Sequence, residues 1–253
     1  MTAQLAGLLG FAFLAGFIDS VAGGGGLIQV PALFILMPGT EAATLLGTNK
    51  CASIWGTLSA TIQYSRQVPM IWRSVLPTCV GALIFGFLGA RTVAHVPSDF
   101  MRPAVLVLLV AVLIYTLWRK NFGQLHAPKL SHSEQFWVGL ATGAALGFYD
   151  GFFGPGTGSF LIFAFIGLFG FSFLAASASA KVVNVITNLA ALIYFVAAGH
   201  VLYDVAAPMA VCNVAGSLVG SHLAIRKGSA FVRTIFIVVV SALILRFAID
   251  LIS

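Results

Sequence analysis

Charged residues are scarce in this sequence. Thirteen lysines and arginines and seven aspartates and glutamates make up 8% of the 253 residues, whereas a soluble domain has about 25%. Hydrophobic residues account for 60% of the chain, and the mean hydropathy is +1.04. A chain with so little polar surface is solvated by lipid rather than by water. The composition therefore predicts an all-α polytopic integral membrane protein.

Other features are missing as well. The three cysteines form no Cys-x-x-Cys pair, which argues against a disulfide framework or a zinc site. No Gly-Lys-Ser/Thr follows a glycine run, which excludes a phosphate loop. The net charge is +6, but the basic residues lie at the ends of apolar runs and form no basic face. We therefore expect no cofactor, no metal and no nucleic-acid partner.

Ten apolar runs are present, five in each half of the chain. They occupy residues 4–21, 24–37, 41–64, 71–94 and 100–118, then 135–153, 158–170, 172–198, 202–225 and 230–251. A helix needs about 20 residues to span a bilayer, so the second run of each half is short. This pattern predicts eight full transmembrane helices plus short glycine-broken or re-entrant segments, up to ten segments in all. The first run carries no basic n-region and is expected to be a membrane segment rather than a removed signal.

The two halves repeat at an offset of 131 residues. Residues 16–26 resemble residues 147–158, and several scarce residue types coincide beyond this motif: Asp19 with Asp150, Lys50 with Lys181, Pro77 with Pro208, Gly89 with Gly220, Phe100 with Phe231 and Arg102 with Arg233. A register held over this length indicates duplication. We predict a first membrane repeat at residues 1–120, a cytoplasmic linker at 121–134 and a second repeat at 135–253.

The orientation depends on how the glycine-broken hairpins cross. If each hairpin returns to the side from which it entered, one side collects most basic residues: Arg66, Arg73, Arg119, Lys120, Lys129, Arg226, Lys227 and Arg233, against Arg91 and Arg102. If each hairpin counts as one crossing, the basic residues divide evenly. The biased arrangement satisfies the positive-inside rule and places both termini outside. It also inverts the second half relative to the first, an architecture common among secondary transporters.

Most charged residues lie near the ends of the apolar runs, but four differ: Lys50 and Lys181 lie near the middle of long runs, and Asp19 and Asp150 precede the glycine breaks. A charge at the centre of a bilayer costs about 3 kcal/mol on insertion scales. One interpretation is that each aspartate pairs with a lysine as an internal staple. The other, which we favour, is a shared translocation site at the interface between the repeats, since packing alone would be served as well by hydrophobic residues.

Small polar residues accompany both lysines at helical spacing. Lys50, Ser53 and Thr57 share one face, and Lys181, Asn184 and Asn188 share the equivalent face. Such stripes either line a pore or form hydrogen bonds between helices.

Two glycine-rich breaks precede the short runs. They contain Gly23, Gly24, Gly25 and Gly26 in the first half, and Gly154 and Gly156 in the second. Free N–H groups at a helix start attract anions. Together with the lysines, these breaks predict a binding site for a small oxyanion.

These motifs resemble the TauE/SafE family of membrane permeases, the sulfite exporter family. The resemblance is carried by the Gly-Phe-Ile/Tyr-Asp motif before each glycine break, by Gly47-Thr48-Asn49-Lys50 and by the doubled layout. It implies a bacterial or archaeal cytoplasmic-membrane protein that moves sulfite, sulfonates or related sulfur-containing anions. By matching positions it implies functional roles for Asp19, Gly23–Gly26, Asn49, Lys50, Asp150, Gly154, Gly156 and Lys181. The second copy has Ala180 where the first has Asn49, so the two half-sites are not equal.

We therefore expect a secondary transporter, preferably an exporter, of a small anion such as sulfite, a sulfonate or sulfoacetate. Asp19 and Asp150 would neutralise the lysines or carry a coupling proton. The alternatives are an uptake permease coupled to H⁺ or Na⁺ and a membrane assembly or chaperone subunit. An intramembrane aspartyl hydrolase is a further alternative, disfavoured because a lysine accompanies each aspartate. The expected partners are the anion and the lipid bilayer. A homo-oligomer is a further arrangement that the sequence allows. The protein is not expected to be an enzyme.

Overall fold

A computed structural model describes residues 2–97, 100, 101, 103, 104, 107, 110 and 130–227. Within these residues the secondary structure is entirely helical. The helices are α1 (Thr2–Ala22), α2 (Gly26–Leu36), α3 (Ala42–Ser65), α4 (Trp72–Val93), α5 (His132–Phe152), α6 (Thr157–Gly167), α7 (Phe173–Ala197) and α8 (Tyr203–Lys227). This agrees with the all-α prediction.

The helix bounds recur along the chain. The first residues of α6, α7 and α8 follow those of α2, α3 and α4 by 131 positions in each case. Helices α2 and α6 have 11 residues each, which corresponds to about 16 Å and is too short for a hydrocarbon core of about 30 Å. Among the described helices, three are long and apolar enough to cross a membrane: residues 4–22 of α1, all of α4 and all of α7.

Some of the predicted elements lie outside the described residues. These are most of the fifth run of the first half and all of the fifth run of the second half, residues 121–129 of the predicted linker, and the residues Arg102, Arg119, Lys120, Lys129, Phe231 and Arg233. The number of membrane spans therefore stays a prediction.

Local sequence explains where the helices begin and break. Helix α5 begins with a capping box, in which the Ser131 N–H donates to Oε2 of Glu134 at 2.7 Å and the Ser131 hydroxyl accepts from the Glu134 N–H. Between α5 and α6, Gly154 and Gly156 have φ of 87° and 85°, a left-handed conformation that favours glycine. The α1–α2 break uses Gly23 in the same way, with φ of 74°.

Two helix pairs have the closest packing, α4 with α5 and α1 with α8. At these interfaces glycines allow the backbones to approach: a Cβ added to Gly147 would lie 2.7 Å from Cα of Ala82, and one added to Gly216 would collide with the backbone of Phe13. Exchanging the two halves converts each of these pairs into the other. The same exchange relates α3–α8 to α7–α4, while α3–α7 maps onto itself.

The outer face of α4 is apolar. Trp72, Leu76, Val80 and Ile84 are exposed at a spacing of four residues, which places them in one stripe. An exposed apolar stripe of this length is typical of a surface that faces lipid.

Candidate functional site

The two glycine breaks cross each other. The N–H of Ser159 donates to the carbonyl of Gly23 at 2.9 Å, and the Ser159 hydroxyl donates to the carbonyl of Ala22 at 2.7 Å. Cβ atoms added to Gly23 or Gly158 would overlap the backbone of the other residue. The starts of α2 and α6 therefore meet, and the side chains that precede each break converge around this crossing.

A small cavity of about 20 Å³ lies beside the crossing, which is room for about one water molecule. It is lined by residues from seven helices and both breaks: Asp19, Gly23, Gly25, Gly26, Asn49, Lys50, Ser53, Thr57, Asp150, Gly154, Gly156, Gly158, Asn184, Asn188 and Asn213. We call it the central cavity.

The predicted site residues converge on this cavity, with two exceptions. Gly24 and Lys181 are not among the residues that line it. That these residues bind a substrate stays a prediction.

Lys50 forms a buried ion pair across the two halves. Its Nζ lies 2.6 Å from Oδ2 of Asp150, and the two side chains are only 4% and 2% exposed. The ion pair joins α3 of the first half to α5 of the second. A Cβ on Gly154 would lie 3.2 Å from the Lys50 Nζ, so the absence of a side chain there leaves room for the ammonium group.

Lys181 has a different arrangement from Lys50. Its ammonium donates to the backbone carbonyl of Asp19 and lies 5.8 Å from the centre of the Tyr64 ring. Among the described residues no ion pair joins it to the Asp19 carboxylate. The interpretation in which each aspartate pairs with a lysine as a staple therefore holds for Lys50 and Asp150 only.

Both predicted polar stripes contribute residues to the lining of the central cavity. The Thr57 hydroxyl donates to Oδ2 of Asp19 at 3.1 Å, with the Ser53 carbonyl at an equal distance as an alternative acceptor. In the second half, the Asn188 amide donates to the carbonyl of Asn184 at 2.8 Å. Both asparagines line the cavity.

Backbone donors are available at the breaks. Across the described part of the chain, the N–H groups of Gly24, Gly25, Gly26, Gly156 and Gly158 donate no hydrogen bond. Glycines at a helix start leave their N–H groups accessible to a bound anion. The chemistry of the cavity thus combines one ammonium, several amides and free backbone N–H groups with two carboxylates.

Sequence reasoning missed Asn213 on α8. Its amide donates to Oε1 of Gln29 at 2.8 Å, and it also lines the cavity. Gln29 Nε2 and Asn49 Oδ1 are buried and have no hydrogen-bond partner among the described residues. An amide in the apolar run 202–225 was the available signal, since polar residues inside a membrane segment face the protein interior.

Within the described part of the structure, no group of three histidine, cysteine, aspartate or glutamate side chains is placed to hold a metal ion.

The sequence matches one family over almost its whole length. The family model described as "Sulfite exporter TauE/SafE" covers residues 8–247. The chain belongs to the TauE/SafE family. This membership, together with the apolar helices, makes it a multi-pass helical membrane protein.

Several TauE/SafE relatives are similar along most of their length. "Probable membrane transporter protein ORF9" of Sinorhizobium is 37% identical over 97% of this chain and 93% of that protein. "Probable membrane transporter protein YfcA" of Escherichia coli K12 is 35% identical over 93% and 86%. A "Probable membrane transporter protein" of Haemophilus influenzae is 34% identical over 89% and 87%. No solved structure is significantly similar to the chain.

Proposed function

We propose that the protein is a secondary transporter of a small sulfur-containing anion, such as sulfite, a sulfonate or sulfoacetate. The observation that carries this proposal is the Lys50 ammonium, which lines the central cavity beside unoccupied backbone N–H groups. The TauE/SafE family and the transporter names of its relatives support it. No nucleotide-binding motif is present in the sequence, so we propose that gradients supply the energy.

The anion would bind by displacing Asp150 from Lys50. Its oxygens would take the hydrogen bonds offered by Lys50, by the N–H groups of Gly156 and Gly158 and by the amide of Asn188. The cavity of about 20 Å³ is smaller than any of these anions, because one water molecule fills such a volume. Binding therefore requires the helices around the cavity to separate, which is the motion that alternating access needs.

Two inverted repeats would provide this motion. Three observations support a two-fold relation between residues 1–120 and 135–253. The helix bounds recur, the glycine breaks cross each other, and exchanging the two halves converts the main helix pairs into one another. In inverted-repeat transporters the site lies where the repeats meet, near the bilayer midplane. Access to the site then alternates when one half rocks against the other.

Contacts between loops support the proposed topology, in which each hairpin returns to the side from which it entered, and the positive-inside rule then gives the orientation. His200 Nδ1 lies 3.5 Å from Oε2 of Glu41, which joins two connections expected outside. Arg73 contacts His132, which joins two regions expected in the cytoplasm. We propose a cytoplasmic-membrane protein with both termini outside and the linker 121–134 inside.

A membrane potential that is negative inside favours anion exit by about 2.3 kcal/mol per charge for each 100 mV. Export is therefore the direction that needs no coupling ion. Uptake of an organic anion would need a coupled cation such as H⁺ or Na⁺. The ion pair of Asp150 with Lys50 disfavours the aspartyl hydrolase, in which two carboxylates share a proton.

A counterflow assay tests the proposal. Purified protein in liposomes is loaded with sulfite, thiosulfate, sulfoacetate, taurine or a simple carboxylate, and exchange of the labelled anion is followed without a gradient. We expect at least one sulfur oxyanion to exchange. Lys50→Ala should slow exchange about tenfold or more, because a hydrogen bond to a charged group contributes about 1.5–3 kcal/mol.

Arg66→Ala is the matched control, because it removes one positive charge from an exposed position outside the central cavity. We expect it to exchange anions at the wild-type rate. In a thermal-shift measurement on the purified protein, the proposal is wrong if only cations raise the melting temperature. It is also wrong if Lys50→Ala exchanges anions as fast as Arg66→Ala does in the counterflow assay. If the Lys50→Ala and Lys181→Ala variants keep the protein's biological function, the result would instead favour a role as a membrane assembly or chaperone subunit.

A further inference from the structure

The central cavity carries more negative than positive charge. Two carboxylates, Asp19 and Asp150, and one ammonium, Lys50, line it. Asp150 is paired with Lys50 at 2.6 Å, so Asp19 is the carboxylate left over. An anion that enters this cavity adds a second negative charge to a lining that is already formally negative. The Lys181 ammonium lies next to Asp19 but not in the lining, so a positive charge that arrives with the anion would offset the charge that the anion adds.

Asp19 is held differently from Asp150. From α3, its carboxylate accepts one hydrogen bond, from Thr57 at 3.1 Å, and Tyr64 lies close enough to interact electrostatically with it. From α7, Lys181 donates to the Asp19 backbone carbonyl and interacts electrostatically with the carboxylate, but no ion pair joins the two side chains. Lys50 and Asp150 line the same cavity. Within the described residues, Asp19 is the cavity carboxylate that has no ion-pair partner.

Asp19 is also attached to the first glycine break through its backbone. Its carbonyl accepts hydrogen bonds from the Gly23 N–H at 2.9 Å and from Lys181, so its backbone is fixed to the glycine break. The cavity beside its side chain has room for about one water molecule. One water is enough to deliver a proton to a carboxylate, whereas a metal cation would need several oxygen ligands arranged around it.

We propose that Asp19 binds a proton together with the transported anion, so that transport is proton–anion symport. This inference rests on the proposed anion transport. An Asp19 oxygen takes a proton from water on the side where the anion enters and releases it to water on the other side. With one proton and one monovalent anion bound, the formal charge of the cavity equals that of the empty cavity. Asp150 remains the counterion that leaves Lys50 when the anion binds.

The inference changes what drives the protein. One proton and one monovalent anion cross without net charge, so the membrane potential alone exerts no net force on the pair. The direction follows the sum of the anion gradient and the pH difference, where one pH unit balances about a tenfold anion gradient. Export continues only while the internal anion excess outweighs the pH difference.

The test uses full-length protein in liposomes that contain a pH-sensitive dye, with an anion that exchanges in the counterflow assay. Wild type should move protons in the same direction as the anion. In Asp19→Asn we expect this proton movement to fall to the level of protein-free liposomes, while anion counterflow continues. Asp150→Asn is the matched control: it alters anion affinity but should still move protons with the anion.

Each result decides a different point. If wild type exchanges no anion, both the proposed function and this inference fail. If wild type moves the anion without protons, or if a Na⁺ gradient replaces the pH gradient, the inference alone fails. It also fails if Asp19→Asn moves protons as wild type does, or if a folded Asp19→Asn loses counterflow as well.

Thr57→Val provides a second measurement in case Asp19→Asn does not fold. The substitution removes the hydroxyl that donates to the Asp19 carboxylate and so makes protonation of Asp19 easier. The midpoint of the pH dependence of coupled transport should move upward by about one pH unit. An unchanged midpoint in a folded Thr57→Val overturns the inference.

Discussion

Lys50 and Lys181 are equivalent in the sequence but have different partners in the fold. Lys50 reaches a carboxylate across the two halves, whereas Lys181 ends on a backbone carbonyl beside the Tyr64 ring. The residue equivalent to Tyr64 is Phe195, which has no hydroxyl. One half therefore supplies the ammonium that lines the cavity, and the other supplies an ammonium that fixes the glycine break.

The Lys50–Asp150 pair gives a prediction for stability. Lys50→Met should lower the free energy of unfolding by about 3 kcal/mol, because it leaves the Asp150 charge buried without a partner. Lys50→Met combined with Asp150→Asn should recover most of this loss, since no uncompensated charge remains. Unfolding in detergent, analysed as a double-mutant cycle, measures the coupling. A double variant less stable than Lys50→Met would show that the pair does not act as a unit.

Gly154 gives a prediction that separates backbone strain from crowding. Gly154 and Gly199 both have positive φ, 87° and 76°, so alanine at either position costs about 1 kcal/mol. At Gly199 the new Cβ meets nothing within 4 Å, whereas at Gly154 it lies 3.2 Å from Nζ of Lys50.

Both alanine variants should lose stability through backbone strain, Gly154→Ala at least as much as Gly199→Ala, but only Gly154→Ala should weaken anion binding. Anion-dependent thermal shift measures the difference. Equal anion responses in the two variants would mean that the space above Gly154 has no part in binding.

For single residues, the sequence identified most of the cavity lining. Duplicated, isolated charges and polar stripes led to Lys50, Asp150, Ser53 and Asn184, because charge inside an apolar run needs an internal partner. Which aspartate pairs with which lysine was not predictable, because it depends on the distance between helices of different halves.

Among the helices, glycine decides how closely the backbones approach. Gly147 on α5 lies against Ala82 on α4, and both helices keep their glycines on the shared face. In a membrane no hydrophobic force drives helices together, so such close packing is what stabilises the pair. Helix existence and glycine breaks were predictable from run length, but the partners of α4 and α1 were not.

We expect Gly147→Ala to destabilise the protein by about 1–3 kcal/mol, the usual effect of overpacking. The matched control is Gly10→Ala, since Gly10 is an exposed helical glycine whose added Cβ meets nothing within 4 Å. That substitution should be neutral or slightly stabilising, because alanine favours helix. Thermal unfolding of both variants in the same detergent is the measurement. Similar melting temperatures would contradict the packing assigned to the α4–α5 interface.

For the whole molecule, the proposed inverted arrangement makes a prediction about sidedness. The ends of α2 and α6 are equivalent in the two repeats, and both Gly39 and Leu168 are exposed there. If the repeats are inverted, these positions lie on opposite sides of the membrane.

In a background without native cysteines, Gly39→Cys should react with a membrane-impermeant maleimide in intact cells. Leu168→Cys should react only after permeabilisation. Labelling of both from the same side would contradict the inversion, and the reverse pattern would contradict the proposed outside location of the termini. Activity of the cysteine-free protein serves as the control.

Ser159 ties one glycine break to the other, because its N–H donates to the Gly23 carbonyl and its hydroxyl donates to the Ala22 carbonyl. Ile28 is the residue equivalent to Ser159, so no hydroxyl returns the contact in the opposite direction. The side-chain hydrogen bond at the crossing therefore comes from one half of the chain only. Because the two halves are held unequally there, the resting protein should populate one of the two open states of the proposed transport cycle more than the other, even in a symmetric bilayer.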